Sequence, residues 1–158
     1  MKKLLYTLLA VSFIFTACKK EEGCTDAIAT NYNADAEDDD NSCIYSIVGT
    51  WSPTSAAVIA NVSMSDITLL DTSYTMTPSD EDWDLTDVEF TADGQRIMDG
   101  ESIPYSYSGN TLTITEDNEI ETHTCTVTST DMVLIMNDNE VEDGMTITSN
   151  ITLNLTRQ

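Results

Sequence analysis

Threonine takes every second position along several runs of the C-terminal half. Leu112 and Ile114 alternate with Thr111, Thr113 and Thr115, and His123, Cys125 and Val127 alternate with Thr122, Thr124, Thr126 and Thr128. Met145, Ile147, Ile151, Leu153 and Leu155 share one parity against Thr146, Thr148, Thr152 and Thr156. A period of two belongs to strands with one buried face, and threonine suits the other face because it is β-branched yet tolerates water. Asp93-Gly94, Gly109-Asn110, Asp117-Asn118, Thr130-Asp131 and Asp143-Gly144 punctuate the runs as tight turns. The spacing predicts strands over 46–52, 55–63, 66–77, 87–92, 95–98, 102–107, 111–116, 120–129, 132–137 and 145–156. Residues 78–84 are expected to form a loop or one helical turn with Trp83 folded back. The fold class is therefore all-β: a small antiparallel up-and-down barrel of eight to ten strands, which removes open edges, with a two-sheet sandwich as the alternative.

The chain starts with Lys2 and Lys3, runs through the apolar segment from Leu4 to Phe15 and reaches Phe15-Thr16-Ala17-Cys18. That segment is too short to span a bilayer and reads as an export signal. Its end resembles the lipobox of bacterial lipoproteins. The resemblance implies a signal peptide over 1–17, lipidation of Cys18 and a cell-envelope location through the acyl chains, which each contribute about 0.8 kcal/mol per buried methylene. Lys19-Lys20-Glu21-Glu22 resembles the tags that send such proteins to the outer face of the outer membrane.

The chain holds 28 acidic and 6 basic residues, a formal net charge of -22. Two of the six are Lys2 and Lys3, which leave with the signal. Such a charge repels nucleic acid and anionic headgroups and leaves cations and basic partners as electrostatically plausible company, while the acids are expected chiefly to keep an exported protein soluble. In an oxidising compartment Cys24 and Cys43 are the natural pair once Cys18 carries lipid, and their crosslink would contribute roughly 3 kcal/mol. Cys125 is expected to be a buried, inert thiol.

Residues 18–45 are expected to form an acidic, cysteine-bounded linker ahead of a domain over 46–158. The run from Gly23 to Cys43 resembles a short motif of exported bacterial proteins, with GCTD, then ATNY, then a closing acidic run and SC. Its acids Asp35, Glu37, Asp38, Asp39 and Asp40 loosely resemble thrombospondin-type calcium repeats. Calcium needs six to eight oxygens, and this spacing lacks the EF-hand glycine and terminal glutamate. Calcium binding by these acids and a solvated linker both remain open readings.

Ile47-Val48-Gly49-Thr50-Trp51 places a GxW at the domain's start. It is followed by a strand with a DG turn, by Tyr105-Ser106-Tyr107-Ser108-Gly109-Asn110, by Leu134-Ile135-Met136, and by a last strand ending at Arg157. This order resembles bacterial lipocalin-like domains. The resemblance implies that Gly49, Trp51 and Arg157 close one end of a barrel, with the arginine across the indole. It also implies a small apolar or amphipathic ligand at the other end, for which Phe90, Ile103, Tyr105, Tyr107, Met132 and Met136 are the candidate contacts. A barrel this size is either filled by side chains or holds one small ligand. A filled barrel would instead serve as a surface module that meets another envelope protein or a glycan. No catalytic residues are expected: His123 is the one histidine, and no nucleophile elbow or phosphate loop accompanies it.

Overall fold

The computed structural model describes residues 20–65 and 67–158. The expected signal over 1–17 and lipidation at Cys18 fall outside them. The described residues form two compact units that divide between Cys43 and Ile44.

In the first unit β1 (Glu22–Gly23) pairs in parallel with β2 (Asp38–Asp39), and a disulfide joins Cys24 to Cys43. Cys24 and Ala29 are its buried apolar residues, which is too little to hold a fold by burial alone. Side chain to backbone bonds supply the rest. Asp26, Asn33, Asp39 and Asp40 each accept from the amide two residues on, the Asx geometry that bends a chain locally. Asn31 donates to the Ser42 carbonyl at 2.7 Å, and Lys20 meets Asp38 at 2.8 Å.

The second unit is all strand and turn. Its elements are β3 (Gly49–Met64), β4 (Ile67–Met76), β5 (Val88–Phe90), β6 (Gln95–Met98), β7 (Glu101–Ser108), β8 (Thr111–Glu116), β9 (Glu119–Val127), β10 (Asp131–Glu142) and β11 (Met145–Arg157). Consecutive antiparallel pairings run from β5 to β11, and β3 pairs with both β5 and β11. Eight strands thus close a barrel, and β4 lies along the distal half of β3. Asp99-Gly100, Asp117-Asn118 and Asp143-Gly144 hold positive φ at both central positions, the twist that two-residue hairpins require.

Two expected strands, 46–52 and 55–63, are one. Pro53 stays in the ladder opposite Leu155, and the irregularity is a bulge at Thr54. The bulge moves the inward side of β3 from odd to even positions: Trp51 pairs with Arg157 before it, and Ala56 pairs with Leu153 after it. Residues 46–48 lie outside the strand. The segment before β5 is a pair of turns, with the Asp80 amide donating to Thr77 O and the Trp83 amide to Asp80 O, and Trp83 is half-buried.

The core gathers Ile47, Trp51, Val88, Phe90, Ile103, Leu112, Ile114, Cys125, Met132 and Leu155, with Tyr105, Tyr107, Val127, Leu134 and Leu153 packed against it. It sits toward the end of the barrel where β3 begins and β11 finishes. β3, β4, β10 and β11 are the long strands, and their far halves continue past the core as a four-stranded sheet.

A sealed end and an open cavity

Trp51 is fully buried and its indole N–H donates to Ile47 O at 2.8 Å. The Arg157 guanidinium lies 4.2 Å from the indole centroid. Its nitrogens donate to three backbone carbonyls: Nη1 to Val48 at 2.8 Å, Nη2 to Ser46 at 2.7 Å and Nε to Ser129 at 3.1 Å. One side chain therefore ties the entry segment and the β9–β10 turn to the last strand. Gly49 has φ +137°, and a Cβ there would stand 2.8 Å from Arg157 Nη1, so both backbone and space call for glycine. The expected closing trio of Gly49, Trp51 and Arg157 is brought together.

The opposite end is open. The β9–β10 ladder runs only between Thr124–Val127 and Met132–Ile135, after which the two strands part. In this fork lies a cavity of about 470 Å³ lined by Glu121, Thr122, His123, Met136, Asn137, Asp138, Ser149 and Ile151. Alternation from buried Cys125, Met132 and Leu155 makes Glu121, His123, Met136, Asp138, Ser149 and Ile151 inward-facing. Beyond the residues that line the cavity, Val58 shares a face with Tyr74 and Ile151, and Val62 with Leu70 and Ile147, so the inward face of β4, β3 and β11 is largely apolar, with Thr72 and Ser149 between these rows. Tyr74 and Leu70 are each half exposed on it.

Of the six residues expected to meet a ligand, Met136 lines this cavity. Phe90, Ile103 and Met132 are instead packed in the core. Phe90 sets its ring edge-on to Tyr105, with centroids 4.9 Å apart, and Ile103 also borders an open concavity of about 410 Å³ beside Glu101, Thr115 and Glu116. Tyr105 donates its hydroxyl to Thr91 O at 2.9 Å and Tyr107 to Cys125 O at 3.4 Å. Burial raises both phenol pKa values, with smaller contributions from Asp93 and Cys125 respectively. Glu121, Asp138, Ser149 and Ile151 escaped the sequence reading. Their inward parity was visible in the alternation, but the level at which the core stops was not.

His123 contributes to the cavity wall with Nε2 3.4 Å from Glu121 Oε2, while its buried Nδ1 has no hydrogen-bond partner. Cys125 is fully buried, and desolvation pushes its thiol up to about 11. The thiol is therefore protonated at neutral pH and should resist alkylation in the folded protein, which mass spectrometry with and without denaturant would check. A raised thiol pKa favours the fold below the unfolded value and is lost as pH climbs through the folded one. The stability gap between wild type and Cys125→Ala should thus shrink by roughly 2–3 kcal/mol from pH 8.5 to 11.5, and a constant gap would refute the assignment.

The carboxylates of Asp35, Glu37, Asp38, Asp39 and Asp40 do not gather around one point. Among the described residues no cluster of three or more histidine, cysteine, aspartate or glutamate side chains has the proximity of a metal site. Asp38 faces Lys20, Asp39 bonds the Asn41 amide, and Asp40 is held below the usual carboxylate range by bonds from Ser42.

A closed eight-stranded antiparallel barrel, sealed at one end by an arginine-covered tryptophan and open at the other over an interior cavity, is the architecture of a small-ligand cup. The chain belongs to the lipocalin-like domain family, whose pattern it matches over residues 47–134. The match takes in the GxW start and ends within β10, so Arg157 and all of β11 complete the barrel from beyond it. No curated protein and no solved structure matches the chain significantly. Members of this family are typically binding proteins.

Proposed function

We propose that the protein is a lipid-anchored component of the cell envelope whose barrel binds a small apolar or amphipathic ligand, and that it acts by binding and not by catalysis. The fork cavity carries this reading. It lies outside the filled core, so a ligand entering it removes Met136 and Ile151 from water without displacing any core side chain. The anchor rests on the lipobox-like end at Cys18, and the outer-membrane location on the Lys19 to Glu22 tag.

Native mass spectrometry of the protein purified from its own host should show a bound small mass. Ser149→Trp with Ile151→Trp should abolish it while circular dichroism stays β-rich. Intact mass should place diacylglyceryl and acyl groups on an N-terminal Cys18. A clean apo mass after exposure to envelope extracts would sink the carrier reading.

That failure would move attention to the alternative, a surface module contacting another envelope protein or a glycan. Its supporting feature is the exposed β4 strand, where Ile67, Leu69, Leu70 and Tyr74 are all at least half accessible.

A further inference from the structure

The cavity lining combines apolar side chains, Met136 and Ile151, with acidic ones. The inward positions toward the open ends of β8, β9 and β10 are carboxylates. Glu121 and Asp138 line the cavity itself. Glu116 pairs with Glu119, in step with Ile114 and Glu121 on the inward face, and Glu140 stands opposite Ile147 on the face that Asp138 shares with Ser149.

Among the described residues none of these acids forms an ion pair with a lysine or arginine. The bases after residue 43 are Arg96 and Arg157. Arg157 is committed to the sealed end, and Arg96 stands in the ladder between Phe90 and Ile103, away from the cavity lining. Glu121 has a single close cationic candidate, His123 Nε2. With the proton on Nε2, the buried Nδ1 becomes an acceptor lacking a donor.

We propose that the ligand is a cationic amphiphile: an apolar body laid against Met136 and Ile151, and a protonated amine held among Glu121, Asp138 and His123. This rests on the ligand-binding reading above and narrows it. The carboxylates of Glu121 and Asp138 at the cavity lining are stabilised by an opposite charge beside them. An anionic head would meet the carboxylates of Glu121 and Asp138 there.

The test uses three probes of equal chain length, n-octylammonium, octanoate and 1-octanol. Each is titrated calorimetrically at pH 7 into the whole protein held in zwitterionic nanodiscs, with empty discs subtracted. Octylammonium should bind at least tenfold more tightly than octanoate and more tightly than octanol. Glu121→Gln with Asp138→Asn should cut that preference by about tenfold. Glu81→Gln with Asp82→Asn removes the same charge from the exposed segment before β5 and should leave it unchanged.

Octanoate binding as well as octylammonium would overturn the proposal and point to Arg96, whose Nε is buried without a partner, as the head-group site. An equal loss of preference in both double variants would also overturn it, since the selection would then come from the overall negative field. Equal affinity for octylammonium and octanol defeats the amine reading while leaving the carrier reading intact. If none of the three binds, both fall.

Discussion

Trp51→Ala destabilises the barrel by about 4 kcal/mol in urea unfolding followed by circular dichroism, enough to leave it marginal or unfolded at 37 °C. The ring is fully buried and fills the sealed end against Ile47, Phe90 and Leu155, so its removal leaves a cavity that a closed ladder on both sides of β3 prevents from collapsing. Ile47 O also loses its indole donor. Trp51→Phe keeps most of the apolar volume but not the hydrogen bond, and should cost about half as much. A loss below about 1 kcal/mol for the alanine variant would mean that the barrel closes without its plug.

Arg157→Ala lowers stability by about 2–3 kcal/mol in the same assay. Its three carbonyl bonds are partly exposed, so water recovers some of each, but the indole face is opened at the same time. Arg157→Lys should restore less than half of the loss, because one ammonium cannot span carbonyls at Ser46, Val48 and Ser129 while stacking flat on a ring. Hydrogen exchange localises the effect: the Trp51 indole N–H should lose protection in both variants, more than the β7–β8 amides. Full rescue by lysine would show that charge alone, without the planar fork, holds the seal.

Both effects come from a pair separated by nearly the whole domain, and the sequence carried that pairing only through the likeness of its GxW start and arginine end to a known family. The strands themselves were plain. Alternation and turn signals placed seven of the nine barrel-unit strands within a few residues of their observed limits, because a half-buried strand writes its two environments into adjacent residues. The first strand was read as two, over 46–52 and 55–63, and what joins them across Pro53 is a bulge at Thr54 that depends on the partner strand. The ends of β10 were also missed: the strand continues to Glu142 through polar residues because β11 supplies its ladder.

The site shows the same division. Apart from β3, whose inward side switches at the bulge, the side of each strand that faces inward was decided by the sequence, and with it the inward placing of Phe90, Met132 and Cys125. How far up the barrel the packing reaches was decided only by the tertiary structure. Strand length and stagger determine where inward side chains stop touching one another, and those follow from pairings across the whole chain. Phe90, Ile103 and Met132 therefore became core and not lining, while Glu121, Asp138, Ser149 and Ile151, equally inward but beyond the end of the β9–β10 ladder, came to surround open space.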